Sequence, residues 1–417
     1  MSTSIDQTAI REKDKGASHI SPGHARLCVA LLVLLGFSLG ASEFAVIGIE
    51  PELSEAFNVS LARVGELISC FSITYAVCTP LLAVATGRFR RFTLLVTYAV
   101  IFALANLAMA LSPTFEVLLA SRVMLGAVCG AFLAVGVTFI PELVGAGSTS
   151  LVVSVVYAAF SVAMVVATSA GKMLAETVGW HAVMDATLIF SLVVGVSLVL
   201  VLPRSGNTDE PATAREQAAI LLEPQALCTM AVFVFGVGSV YVFYGYVSPY
   251  LESFLGMDAV STSAVLMAYG VVCFFSNLLS GWVDSRFGLC ALVPSFIVQA
   301  ALLLALWLVG TSMPTALAPV LLIGLSMYVL SVPCVTLFMR IARQRHPKAL
   351  TLASSLEPMS FNIGIAFGTT VGGEVVSGPG LGSVGLVGGI FSLVACALVA
   401  LDVALGRRPA RQSSRVS

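Results

Sequence analysis

The sequence predicts an all-α integral membrane protein with twelve transmembrane helices in two pseudo-symmetric six-helix bundles. Three observations predict it: the residue balance, the placement of the basic residues, and an internal repeat. Hydrophobic residues make up 58% of the 417 and charged residues only 10%, with a mean hydropathy of +1.00. Soluble domains carry ~25% charged residues, so a soluble core does not account for this chain. A spanning helix takes ~20 mostly apolar residues, and twelve use nearly the whole apolar complement.

Apolar runs between breakers place the first six spans near residues 27–49, 64–84, 93–111, 117–140, 151–175 and 180–202. The second six fall near 227–247, 262–282, 290–309, 316–339, 353–374 and 382–405. This gives a polar tail over 1–26, a first bundle over 27–202, a linker over 203–226, a second bundle over 227–405 and a tail over 406–417. The tail at 1–26 lacks the short apolar core of a signal peptide and reads as disordered and cytoplasmic.

With the first terminus inside, 18 of the 21 Lys and Arg residues fall in cytoplasmic segments. That bias predicts an even number of spans with both termini cytoplasmic; the expected location is a plasma membrane, in a bacterium the inner membrane. Sliding the second half over the first aligns Gly40 with Gly238, Pro51 with Pro249, Leu53 with Leu251, and Arg88-Phe89 with Arg286-Phe287. Two such halves suit alternating access around a site near the midplane.

Composition also excludes function classes. The net charge of −1 gives no field for nucleic acid. Nine scattered cysteines without a CxxC pair, and four scattered histidines, predict neither a metal site nor a disulfide framework. Gly380-Leu-Gly382-Ser-Val-Gly385 matches a dinucleotide fingerprint only as a string, since no strand precedes it. No Walker loop is present, so direct ATP drive is not expected, nor is any cofactor. The expected partners are the bilayer, protons and a small-molecule substrate, with the chain acting as a monomer.

Four places together resemble the major facilitator superfamily, in particular its drug:proton antiporter and sugar-efflux branch. The first helix reads Gly40-Ala-Ser-Glu43-Phe44, followed by Gly48 and Pro51. Span four carries Arg122, Gly126, Gly130 and Ala131, similar to the superfamily's pattern of one Arg followed by glycines. The loop after span eight, Gly281-Trp-Val-Asp284-Ser-Arg286, resembles the family's cytoplasmic loop motif. Span eleven carries Asn362, Gly364 and Gly368. The resemblance implies proton-coupled export of a drug-like or sugar-like solute. Two departures stand against the pattern. The loop with Arg88, Arg90 and Arg91 lacks the acidic residue, and span five has Ala159, Ala163, Ala167 and Gly171 where the antiporter signature has a proline.

Charges inside a bilayer cost on the order of 2.5–3.5 kcal/mol each on insertion scales, so each needs a partner or a task. Glu43 and Arg122 fall at similar depth in one half. They read either as a proton carrier biased by its arginine or as a static ion pair. Glu357 reads either as a binder of protons or cationic substrate, or as a helix-start acid beside Pro358. Lys172 and Asp185 are expected to pair across a short turn, and Asp284 with Arg286 to brace a gate. Asp402 and Glu374 are expected to snorkel at helix ends. Tyr241, Tyr244, Tyr246 and Tyr250 read as an interfacial aromatic belt. The small residues predict close helix packing. The reading is a secondary transporter exporting a small organic solute by proton antiport. A proton-coupled importer is the same-class alternative, and a receptor or intramembrane enzyme the different-class one.

Overall fold

The computed structural model describes residues 21–86, 89–144, 146–204, 219–346 and 350–407. Most of both tails, most of the polar stretch 203–223, and Arg88 therefore lie outside the described residues. Among those residues the chain is helical without strands.

The first half contains α1 (Pro22–Phe44), α2 (Leu61–Thr86), α3 (Arg91–Ala110), α4 (Phe115–Val137), α5 (Ala146–Val178) and α6 (Trp180–Val201). The second contains α7 (Pro224–Tyr244), α8 (Ala259–Phe287), α9 (Leu292–Val309), α10 in two pieces (Met313–Ser326 and Ser331–Arg345), α11 (Leu350–Ser377) and α12 (Val384–Arg407). All but α11 lie in segments long and apolar enough to cross a membrane. The Ser, Asn and Gly residues of α11, with Glu357, lower its hydropathy below that limit.

Local signals start and stop these helices. Ser21 accepts the His24 N–H at 3.3 Å and Pro22 opens α1, while Thr114 and Asp258 cap α4 and α8 in the same way. Gly179, at φ 109°, makes the tight turn from α5 into α6.

The two halves repeat one packing scheme. In the first, α1 packs on α5, and in the second α7 packs on α11. The repeated glycines sit at these seams. A Cβ on Gly40 would lie 2.9 Å from that of Ala163, and one on Gly238 would lie 3.3 Å from the Gly364 carbonyl. Gly126 lies against the Phe71 carbonyl, Gly130 against Thr79 and Tyr75, Gly364 against Phe233, Gly368 against Gly238, and Gly171 beside Val183. Small residues let backbones approach where lipid supplies no hydrophobic drive between helices.

The halves meet where α2 packs on α11 and α5 on α8. The loops alternate between two ends. One end, called basic here, carries Arg91, Arg204, Arg286, Arg340 and Arg345. The opposite, acidic end carries Glu52, Glu66, Glu176 and Glu252.

Candidate functional site between the halves

Irregular backbone within a membrane is tolerated where protein or a cavity satisfies it, and α10 shows one such place. It unwinds between Ser326 and Ser331. Ser276 on α8 accepts the Tyr328 N–H at 2.9 Å, and Ser280 accepts the Val332 N–H at 3.0 Å while donating to the Val329 carbonyl at 2.9 Å. Two serines thus replace the missing helical bonds and aim Tyr328 at the centre. Its ring stacks on Phe361 of α11 at 5.4 Å and 8°. Its hydroxyl reaches Met164 Sδ of the other half at 3.4 Å. Tyr241 meets Phe361 edge-on at 6.4 Å and Tyr244 at 5.5 Å. Tyr244 stacks on Tyr269 at 4.8 Å.

These tyrosines correct the aromatic-belt expectation. Tyr241, Tyr244, Tyr246 and Tyr250 are all buried. After α7 the chain turns inward through one-turn helical segments (Val247–Pro249 and Tyr250–Phe254), so rings that hydropathy assigns to an interface lie in the interior. Tyr246 packs against Gly65 of the other half and donates to the Thr369 carbonyl at 3.0 Å.

Glu43 ends α1 and is buried, and its Oε2 has no hydrogen-bond partner among the described residues. Of its two readings, the static ion pair with Arg122 is not formed. Arg122 instead donates from Nη1 to the Ser42 carbonyl (2.5 Å), from Nη2 to the Glu43 carbonyl (2.8 Å) and from Nε to the Leu67 carbonyl (3.2 Å). Its guanidinium lies 4.4 Å over the Phe71 ring. A helix end presents unsatisfied carbonyls and a partial negative charge, and Arg122 meets both while tying α1 to α2. A small void lined by Glu43, Phe71, Ser72, Arg122, Tyr241 and Ile365 remains between the halves. In the repeat alignment Tyr241 is the counterpart of Glu43.

Glu357 is partly exposed. It is the eighth residue of α11, with Pro358 inside the helix, so it lies beyond the first turn where the dipole favours an acid. The helix-start reading therefore loses its basis. Glu357 faces Ser331 at the restart of α10 and lies within electrostatic reach of Tyr75, Tyr157 and Tyr328. Asn362, one turn on from Pro358, donates to that residue's carbonyl at 3.1 Å and leaves Oδ1 unpartnered.

At the acidic end the halves are joined by polar contacts that the sequence reading missed. Lys172 does not turn to Asp185. Its buried ammonium lies 2.5 Å from Glu52, 3.4 Å from Glu176 and 2.6 Å from Glu252 of the other half. The available signal was acids at one end facing a single lysine. Ser69 meets Thr369 at 2.6 Å, Ser263 donates to the Ser169 carbonyl at 2.8 Å, and Ser248 donates to the Gly48 carbonyl at 2.9 Å.

At the basic end Arg91 donates to the Thr138 carbonyl and Glu142, both at 3.4 Å. Asp284 accepts from Thr336 at 2.9 Å, joining α8 to α10. Arg286 is exposed and Gly281 has open space beside it, so the expected Asp284–Arg286 brace is replaced by a bond within the second half. Glu374 is exposed, but Asp402 does not snorkel. It is fully buried and accepts from Thr229 of α7 at 2.6 Å.

Two helical bundles of this topology, closing on a central site at their seam, define a multi-pass membrane carrier. The chain belongs to the Major Facilitator Superfamily, whose family model matches residues 32–355. It is similar to the inner membrane transport protein YdhP of Escherichia coli, 28% identical over 369 residues covering 88% of this chain and 94% of the relative. It is also similar to the uncharacterized MFS-type transporter YtbD of Bacillus subtilis, 24% identical and covering 92% and 96%. Among solved structures, a D-xylose-proton symporter shares the fold with a TM-score of 0.69 at 17% identity, covering 89% and 96%. A bacterial homolog of the human lysosomal transporter Spinster shares it with a TM-score of 0.74 at 16% identity, covering 92% and 98%.

Proposed function

We propose that this chain is a secondary transporter exporting a small organic solute in exchange for protons, with Glu43 as the proton-carrying group. One observation supports this above the others. Glu43 is buried with an unpartnered carboxyl oxygen, beside an arginine whose described hydrogen bonds all go to main-chain carbonyls. An ionised carboxylate in that position carries a desolvation penalty of several kcal/mol. On this reading Glu43 carries a proton in this state and releases it when a rearrangement admits water or brings a cation closer. A cytoplasmic basic end suits the placement of the basic residues, and Glu357 is part-exposed and Tyr157 half-exposed. The aromatic rings around Phe361 supply flat apolar contact for a drug-like or sugar-like solute.

The test measures proton release on solute binding by the purified protein, by calorimetry in buffers of different ionisation enthalpy. Ethidium and neutral pentoses serve as probes. The expected result is proton release by the wild type and binding without release by Glu43→Gln. Unchanged release in Glu43→Gln refutes the assignment.

A further inference from the structure

A second buried acid lies beyond Glu43, where the chain leaves α1. Glu50 opens the helix Glu50–Phe57 and is fully buried. Its Oε2 accepts the Gly48 N–H at 2.8 Å, and its Oε1 has no partner among the described residues. The loop that holds it belongs to the seam. Gly48 has φ 107° and its position leaves no room for a side chain, since a Cβ would lie 2.9 Å from the Thr168 carbonyl. Its own carbonyl accepts from Ser248 of the other half.

The titratable groups facing Glu50 are Glu52 on its own helix, Lys172 on α5, and Tyr244 and Tyr246 on and just after α7. Lys172 is the one cation in this set, and it is already shared among Glu52, Glu176 and Glu252. Glu50 therefore has no counter-charge of its own, and a second negative charge beside that cluster adds repulsion to the desolvation penalty.

We propose that Glu50 is a second proton-binding residue of the transport cycle, protonated while the acidic end is sealed and deprotonated when that end opens. This rests on the proton-exchange reading above. On opening, the carboxyl O–H breaks and its proton passes to water on that side. The carboxylate left behind needs hydration, so resealing requires that a proton be rebound. Because the sealed form binds the proton and the open form releases it, rising pH favours opening, by up to about tenfold per pH unit for one proton. The Lys172 cluster acts at the other limb, because acid protonates Glu252 and removes the bond that Lys172 makes across the seam. Sealing is thus strongest at intermediate pH, and Glu50 governs the alkaline side.

The experiment places nitroxide labels at Val178→Cys and Val260→Cys, exposed positions at the acidic end of opposite halves. It uses the full chain in liposomes, with its nine cysteines replaced. Pulsed EPR distances are recorded across pH. The expected result is a longer-distance population that grows with alkalinity in the parent, stays at its sealed level in Glu50→Gln, and returns in Glu50→Asp, which keeps the ionisable group. A Glu50→Gln protein that opens over the same pH range as the parent overturns the proposal, as does a parent that does not respond to alkali. Proton release on solute binding by Glu43→Gln is measured in parallel. Loss of that release with unchanged alkaline opening in Glu50→Gln removes the Glu50 proposal and leaves the Glu43 reading standing. The converse pattern removes the Glu43 assignment and supports Glu50.

Discussion

The two ends of the bundle use charge differently. At the basic end the described ion pairs join neighbours within one half. Arg91 bonds to Glu142 near the end of α4, and Arg345 and His346 bond to Glu223 before α7. These side chains are part-exposed, and pairs of that kind contribute little, ~0–1 kcal/mol. At the acidic end a single buried ammonium reaches across the seam to Glu252, the Ser69 and Thr369 hydroxyls bond across it, and the Ser248 hydroxyl donates to the Gly48 carbonyl. The first arrangement holds neighbouring elements of one half together. The second reports a conformation, because its bonds exist only while that end is sealed.

The comparison breaks most readily at Lys172. Lys172→Met leaves the part-buried Glu52 and Glu252 without their cation, and removing one partner of a buried pair costs about 3–5 kcal/mol. A cysteine at Ser248, buried here, should then react with maleimide at least about a hundredfold faster than in a Lys172 background. An unchanged rate would mean that the cluster does not hold the end shut. Arg122→Gln removes the group that satisfies the carbonyls of Ser42, Glu43 and Leu67. Leaving buried polar groups unsatisfied costs about 1–3 kcal/mol each, so the midpoint of thermal unfolding in detergent should fall, with the first half losing protection from hydrogen exchange first. Ser280→Ala removes both bonds that Ser280 makes to the break in α10. A smaller loss of about 1–2 kcal/mol is expected, read as faster exchange at Val332 than elsewhere in α10.

The smallest effect belongs to the basic end. Burial tends to raise the carboxyl of Glu223, but the hydrogen bonds from His346 and Arg345 outweigh it and hold it below its ordinary value. A depressed carboxylate contributes stability above its unfolded value and loses it as pH falls through the folded one. Glu223→Gln should therefore change stability by only a few tenths of a kcal/mol at neutral pH, and that difference from wild type should vanish in acid. A large neutral-pH effect would show that the two ends are not distinguished in this way.

The fold was legible because hydropathy and arginine placement act along the chain, one span at a time. The repeated glycines Gly40 and Gly238 were legible for the same reason, since close helix approach leaves few other residue types. What failed depended on direction around a helix. Tyr241 and Tyr250 read as interfacial by depth, but depth does not show whether a ring faces lipid or the opposite bundle. Lys172 was assigned to Asp185 by nearness in sequence, whereas its two shortest pairs are with Glu52 and Glu252 at the exits of α1 and α7, far away along the chain. Asp402 near the end of α12 was expected to reach water, but it is buried and accepts from Thr229 inside instead. Glu43 and Arg122 line one void, as their common depth suggested, but the static ion pair that was one of their two readings is not formed. Arg122 spends its described bonds on main-chain carbonyls, and residue types carry no signal for that.

The central claim is that solute and protons move in opposite directions through one seam. Its most direct test is purified protein in liposomes with a pH-sensitive dye inside, with an ethidium or pentose gradient imposed and no proton gradient. The account predicts that solute movement drives protons the opposite way across the membrane, and that Glu43→Gln abolishes this flux. Protons moving in the same direction as the solute, or equal flux in Glu43→Gln, would contradict it.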